Sequence, residues 1–328
     1  MRTSIRLALT GLIICLTGNG MTFAAGTGYI FVSNESDDTV SVIDGGSFEV
    51  VKIIATGDRP RDMRFSPDRT HLYVATSGDD HIEVINIATL EVTGIIEAGE
   101  DPEIFQLDPS GKILVVANED DNEVTVTDVA SGKQLRVIED VGVEPEGITF
   151  RHDGKVVFVT SEATNSVLII DPWAGKIIDE VLVGNRPRRG IVTPDNKEYW
   201  VTNELGGTVS ILDAQTYSPL GQVYFEKRGM RQEDINPVDF AMTKNGKTAY
   251  VTLGRARHVA VVDVASREVE EYILAGDRVW GAALNRDESL LVVTNGASDD
   301  VTIIDTDDNR AINAISVGRT PHTVRIDD

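Results

Sequence analysis

Apolar and polar positions along this chain come in short alternating runs that return at a fixed interval. Residues 199–213, reading YWVTNELGGTVSILD, show the unit: an apolar run, a polar turn, and a second apolar run closed by an aspartate. That pattern predicts a β-hairpin with much of its surface covered. Aligned on the closing acidic or amide residue, the copies end at Asp44, Asn86, Asp128, Asp171, Asp213, Asp263 and Asp305, at spacings of 42, 42, 43, 42, 50 and 42 residues. A repeat of roughly 40 to 45 residues with several strands per copy marks a propeller blade, because such a sheet buries its faces only against its neighbours. The seven copies predict an all-β fold, a seven-bladed β-propeller of four-stranded blades, as a single domain over residues 25–328.

Each repeat carries the same parts. Turns such as Ser66-Pro67-Asp68 and Asp153-Gly154-Lys155 join a first strand to a second, since Pro presets φ and Asp and Gly accept turn dihedrals. β-Branched runs such as residues 39–44 and 301–305 suit packed third strands. Fourth strands end at Gly-x-x-Pro loops that begin at Gly57, Gly99, Gly142, Gly184 and Gly318. Residues 29–33 match a second strand, and residues 323–326 match a first strand without a blade of its own. The C-terminal strand is therefore expected to complete the N-terminal blade and leave no open edge. Two repeats break the pattern. The 50-residue spacing places an insertion within 226–235, and one loop loses its proline, reading Gly276-Asp277-Arg278-Val279.

Composition narrows the partners. The formal net charge is −23, a surface that repels phosphate backbones, so nucleic acid is set aside. The single cysteine, Cys15, lies in the N-terminal segment, which leaves the mature chain no disulfide and no thiolate metal site. Residues 1–24 read as an export signal: Arg2 and Arg6 precede an apolar core over residues 7–16, and Thr22-Phe23-Ala24 suits cleavage after Ala24. No other stretch approaches the roughly 20 apolar residues of a membrane-spanning helix. The reading is a periplasmic monomer with no membrane span after signal cleavage.

The runs VTNE at 201–204 and VSVID at 40–44, with Ser66-Pro67-Asp68, resemble the YVTN-type β-propeller repeat family over essentially the whole mature chain. Within that group, the seven repeats and the export signal are similar to the periplasmic β-propellers associated with pyrroloquinoline quinone (PQQ) dependent alcohol catabolism. The resemblance implies an accessory protein that works beside a periplasmic quinoprotein dehydrogenase or a transporter component.

Symmetry separates structural positions from functional ones. A residue repeated in every blade, such as the Asp44 column, caps the same turn in each. The Gly-x-x-Pro loops and the turns between second and third strands lie at one end of the ring. There the residue after the loop proline varies: Arg61, Glu103, Glu146, Arg188, Val238, Trp280 and His322. A basic arc of Arg59, Arg61, Arg186, Arg188, Arg189, Arg278 and Arg319 is expected to face an acidic arc that includes Glu103 and Glu146. Converging guanidinium groups suit carboxylates and Trp280 suits a flat ring, so these basic residues with Trp280 and His322 form the candidate ligand site. PQQ, an anionic aromatic, meets both demands. Glu103, Glu146, Lys227, Arg228 and Arg231 are the candidate partner-docking residues. The plainer alternative is a rim of surface ion pairs, each worth about 0 to 1 kcal/mol.

Catalysis has little support in the sequence. His71, His81, His152, His258 and His322 are scattered without metal-ligand spacing, and no nucleophile elbow or phosphate-binding loop occurs. The first expectation is a non-catalytic exported accessory module, with no catalytic residue and no metal. A generic interaction scaffold and a hydrolase or lyase with a channel-bound metal are the alternatives.

Overall fold

The computed structural model describes residues 26–328, and the expected export segment, residues 1–24, lies outside the described residues. Seven antiparallel sheets of four strands each follow one another along the chain. Their innermost strands, Pro321–Asp327, Pro60–Phe65, Pro102–Leu107, Pro145–Phe150, Pro187–Val192, Phe240–Met242 and Val279–Leu284, pack side by side around a central channel. The seven-bladed propeller expected from the repeat is the architecture found. Among the described residues no helix is long and apolar enough to cross a membrane.

Apolar alternation builds the core between blades, because each sheet presents one face to either neighbour. Trp200, Val209 and Ile211 of the fifth blade meet Phe240, Val251 and Val262 of the sixth. Phe31 and Val42 of the first blade meet Met63 and Val74 of the second. Fourth strands form the outer wall and leave Val51, Ile53, Ile95 and Leu182 exposed. The ring closes as expected, with Pro321–Asp327 antiparallel to Tyr29–Asn34, Val324 opposite Val32 and Ile326 opposite Ile30. Ile30, Val32 and Val324 then pack on Val292 and Ile303 of the seventh blade. Asp327 adds a polar latch, accepting hydrogen bonds from Thr27 N at 2.9 Å, Thr27 Oγ1 at 2.8 Å and Arg69 Nε at 2.9 Å.

A recurrent clasp holds each blade to the next at the Gly-x-x-Pro end. The residue preceding the loop proline has left-handed backbone, with φ of 55° at Arg59, 43° at Asp101, 57° at Glu144, 55° at Arg186 and 54° at Thr320. That conformation costs a non-glycine residue roughly 1–2 kcal/mol. At each one, a side-chain oxygen from the preceding blade accepts the backbone N–H: Asp38 from Arg59 (3.1 Å), Asp80 from Asp101 (3.0 Å), Asn122 from Glu144 (2.9 Å), Asn165 from Arg186 (2.8 Å) and Asp299 from Thr320 (2.9 Å). Two turns carry Gly207 and Arg257 where the others carry Asp or Asn, and these adjoin the two irregular loops. The insertion within 226–235 folds one 3-10 turn, Gln232–Asp234, while Arg257 reaches its loop through an ion pair with Asp277.

A second tie fixes the residue after the proline. Hydroxyls of Ser33, Thr160, Thr202, Thr252 and Thr294 donate to the carbonyls of Arg61, Arg188, Val238, Trp280 and His322, at 2.7, 2.6, 2.9, 2.7 and 2.9 Å. Side chains around the channel mouth are thereby set by the neighbouring blade. The Asp44 column caps its turns as expected, Asp44 Oδ1 accepting from Gly46 N at 3.0 Å and Ser47 N at 2.7 Å.

Ending the chain at Val317 removes the closing strand, its latch and its share of two inter-blade cores. The expected result is a fall in Tm of roughly 10 °C or more. Calorimetry reads it, and an unchanged melting curve would reject this closure.

Candidate functional site

At the Gly-x-x-Pro mouth the expected charge arcs give way to an interleaved network. Arg61 and Glu103 pair through Nη2 and Oε1, and Arg61 Nη1 lies 3.4 Å from Glu35 Oε1. Across the mouth, Arg188 pairs with Glu162 through Nη1 and places Nη2 3.1 Å from Glu146 Oε1. Arg59 and Arg186 form an outer tier, Arg59 reaching Asp101 at 3.5 Å and Arg186 reaching Glu162 at 2.6 Å and Glu204 at 3.4 Å. Adjacent blades put the residue after the proline side by side, so opposite signs one repeat apart become ion pairs rather than separate arcs.

Burial decides what these pairs do. Glu103 and Glu146 are 0% and 1% exposed, so neither can touch a docking partner, and that expectation is corrected. Nor are these the weak surface pairs of the plainer alternative. An interior ion pair survives only if attraction offsets a desolvation cost of several kcal/mol per ion, and removing one partner leaves an uncompensated charge. Burial pushes the Glu103 carboxyl well above the ordinary range, Arg61 opposing and Glu146, Glu119 and Asp101 adding to the rise. Glu162 is raised to about 7, chiefly by burial, against the pull of Arg188 and Arg186. Burial also raises Glu119 and Asp101. In Arg61 and Arg188 burial works against the charge, but the facing carboxylates outweigh it and both remain guanidinium ions.

Two buried carboxylate oxygens here, Glu103 Oε2 and Glu146 Oε2, have neither a hydrogen-bond donor nor an ion-pair partner among the described residues, while Asp101 Oδ1, Glu146 Oε1 and Glu162 Oε2 meet guanidinium nitrogens only as ion pairs outside hydrogen-bond alignment. Oxygens of Asp101, Glu103 and Glu119 lie within 4.8 Å of one another, and so do those of Glu119, Glu144 and Glu162. Such triads can share protons or supply the hard oxygen donors of a divalent cation. Glu119, common to both, is half-buried at the solvent side. Glu35, Glu119, Glu162 and Glu204, in the turns between second and third strands, were not among the expected site residues. Their signal was position: each follows the second strand and its amide bonds the left-handed residue's region of the same mouth, as Glu162 N does with Glu144 O at 2.8 Å.

The remaining expected ligand residues are dispersed. Arg278 lays its guanidinium 4.2 Å over the Trp280 ring, which covers the face that a flat ligand would use. Arg319 is exposed and holds Asp37 at 2.5 Å on the rim. Arg189 leaves the mouth for the neck of the channel, pairing with Asp239 at 2.7 Å. Its Nη2 lies 3.3 Å from His322 Nδ1. His322 is buried, and burial with Arg189, Arg61 and Arg188 lowers its pKa well below the ordinary imidazole value. Asp62 completes the neck, accepting from Arg325 Nη2 at 2.8 Å and Arg64 Nε at 2.9 Å. In the insertion, Lys227 lies 2.9 Å from His258 Nε2, Arg231 pairs with Asp234 at 2.7 Å, and Arg228 is exposed. The mouth thus offers no cluster of free guanidinium groups for PQQ or another aromatic polyanion, because Arg61, Arg188 and Arg189 are engaged by carboxylates.

Two family models match the chain. One, described as the cytochrome D1 heme domain, covers residues 107–325. Another, described as lactonase, 7-bladed beta-propeller, covers residues 20–147. No curated protein matches the chain in sequence. Among solved structures, Kuenenia stuttgartiensis hydrazine synthase is similar at 20% identity and TM-score 0.77, over 90% of this chain and 99% of that one. The Pseudomonas aeruginosa periplasmic gluconolactonase PpgL is similar at 18% identity and TM-score 0.77, over 92% and 99%. The dihydro-heme d1 dehydrogenase NirN is similar at 14% identity and TM-score 0.69, over 92% and 76%. At these identities the structures speak for the propeller fold alone. The lactonase match, over the blades that carry Arg61, Glu103 and Glu146, overturns the expectation of a non-catalytic accessory protein for PQQ-dependent catabolism.

The first family model raises the question of a haem, whose iron needs a His, Cys, Met or Tyr ligand. Within the channel mouth the buried imidazole is His322, whose Nδ1 faces Arg189 and whose ring packs edge-on against Trp280 at 4.9 Å, while His81 and His258 stand at the starts of third strands further out on the same end. Buried carboxylates occupy the rest of the mouth. The opposite end of the channel is ringed by cations, and its one imidazole, His152, stands on an exposed turn. Among the described residues neither end presents an imidazole placed for a haem iron, and the remaining ligand type on the wall of the opposite end is the thioether of Met242.

The raised Glu162 carboxyl fixes a pH dependence. The folded protein keeps this proton up to about pH 7, whereas the unfolded chain releases it near pH 4.3. Stability from this group is therefore complete below the unfolded pKa and is lost as pH rises through about 7, a change on the order of 3 kcal/mol. Relative to Glu162→Gln, the wild type should lose Tm between pH 5 and pH 8; a constant difference would contradict the assignment.

Proposed function

This chain belongs to the cytochrome D1 heme domain family, and we propose that its Gly-x-x-Pro mouth is a hydrolase site that opens cyclic esters, with sugar lactones as the substrate class. The observation that carries the reading is the carboxyl triad of Glu119, Glu144 and Glu162 set beside permanently charged guanidinium groups. Ester hydrolysis needs a base for water, positive charge for the carbonyl oxygen as it becomes an oxyanion, and an acid for the departing alkoxide. Glu119, half-buried and facing solvent, takes the proton from the attacking water. Arg186 and Arg59, with side chains 39% and 43% exposed, stand where a substrate can reach them and stabilise the oxyanion. Glu119 then returns a proton to the alkoxide, and Glu162, buried beside it in the triad and titrating at about 7, is the proton reservoir it draws on. Water adds to the carbonyl carbon, the ring C–O bond breaks, and a hydroxy acid leaves. Arg61, Arg188, Glu103 and Glu146 hold the outer groups in place from below.

The lactonase description over residues 20–147 supports this reading, as does the gluconolactonase among the similar structures. The carboxylate triads favour one variant of it, in which Asp101, Glu103 and Glu119, or Glu119, Glu144 and Glu162, would hold a divalent cation that would supply Lewis-acid chemistry at the mouth; chelator would then abolish the activity. The periplasm, named for the P. aeruginosa protein, is proposed as the compartment here too, and recovery in the osmotic-shock fraction checks it.

With glucono-δ-lactone near pH 7, purified protein should speed acid release, read by a pH indicator. Glu162→Gln and Glu119→Gln should each lower kcat ~100-fold while the fold persists. Wild-type protein that opens neither five- nor six-membered sugar lactones faster than buffer would sink the proposal.

A further inference from the structure

We propose that the opposite end of the channel is a second binding site, for a small organic anion carrying two or more carboxylates on a carbon skeleton. The seven inner strands splay at their C-terminal ends around a cavity of about 650 Å³, within the roughly 300–1,000 Å³ of small-molecule sites. Two ion pairs, Arg189 with Asp239 at 2.7 Å and Arg325 with Asp62 at 2.8 Å, stand at the neck between this cavity and the mouth.

The wall is cationic in a chain of formal charge −23. Arg64, Arg69, Arg189, Lys244, Arg286 and Arg325 line it, against Asp239, Glu288 and Asp328. The acids are engaged: Asp239 by Arg189 at 2.7 Å, Asp328 by the Arg286 backbone N–H at 2.6 Å and Glu288 by the Lys244 backbone N–H at 2.5 Å. Behind the wall, Asp62 and Asp327 hold Arg64 and Arg69 by Nε, each at 2.9 Å. Anchoring at Nε leaves the forked end of Arg64 without a hydrogen bond among the described residues. Arg189, 6% exposed, keeps a buried Nε with no acceptor. Arg69 also spends Nη2 on the Ile326 carbonyl at 2.7 Å, so Arg64 is the guanidinium held from behind with a free fork, preorganised for a carboxylate, which accepts two parallel N–H bonds.

Between the cations the wall is apolar. Ile148, Phe150, Ile191, Phe240 and Met242 line it. A carbon skeleton would rest there while its carboxylates reach arginines of different blades, which inorganic anions cannot do. Arg64 comes from the second blade and Arg286 from the seventh, so two carboxylates on one molecule would bridge blades that flank the closing strand.

Titration calorimetry with citrate as probe tests the site, at low and at physiological salt. Saturable binding that weakens at least tenfold in Arg64→Ala and in Arg286→Ala, but not in Glu162→Gln, is the expected result. Lys244→Ala, at an exposed position, should weaken binding without risk to folding. Three outcomes would overturn the proposal: no saturable binding at millimolar citrate, equal affinity in all variants, or phosphate and sulfate binding as tightly as citrate at the same residues. Because the probe is not a lactone and Glu162 is spared, failure here leaves the hydrolase reading standing, and the reverse holds.

Discussion

The arrangement depends on one repeated contact, the clasp in which an Asp or Asn side chain of one blade accepts the backbone N–H of a left-handed residue in the next. A blade cannot bury both its faces alone, so the propeller is a set of interfaces. The clasp fixes the register of each interface at the Gly-x-x-Pro end. It stabilises a backbone conformation that non-glycine side chains otherwise avoid, and that conformation turns Arg59 and Arg186 upward while the proline drops the chain into the channel. Where the clasp residue is Gly207 or Arg257, the neighbouring loop is the one that has grown or lost its proline. Irregularity follows the missing contact.

From this frame comes an electrostatic consequence. Side chains after the proline are carried into a low-dielectric ring whose neighbours lie within ion-pair reach. Charges that would be a weak, screened rim on the surface become a coupled interior network. Cations cannot shed their charge, so the carboxyls adjust, and protons are held on glutamates at pH values where free glutamate is ionised. Groups tuned in this way suit proton transfer near neutral pH. The network therefore links the structural role of the mouth to its chemistry, and Glu103 and Glu146 serve the first so that Glu119 and Glu162 can serve the second.

Much of this was legible in the sequence because the repeat is regular. The 42-residue spacing located the strands, the unmatched strand near residue 323 announced the closure, and the insertion within 226–235 stood out by length. Pairing around the ring was misread. Arg61 and Glu103, or Glu146 and Arg188, stand one repeat apart, which in a closed ring means adjacent; reading them as two opposing arcs ignored that adjacency. Burial was the other missing quantity. Nothing in the letters shows that a glutamate after a proline turns inward, since the orientation comes from hydroxyls such as Thr160 in a neighbouring strand. The cationic cavity was missed because four of its cations fill two places in the repeat, Arg64 with Arg325 and Lys244 with Arg286, each basic in only two blades, and they meet only where the inner strands end.

The central claim is that buried glutamates at the mouth hold protons at neutral pH beside fixed guanidinium groups. Carboxyl carbon-13 NMR of glutamate-labelled protein, titrated from pH 4 to pH 9 and assigned with single Gln variants, reads this directly. The account predicts that the Glu162 resonance titrates near pH 7, and that Glu103 titrates well above the ordinary carboxyl range. If every glutamate carboxyl at the mouth titrates near the free value of about 4.3, the network is not the proton-holding one described here.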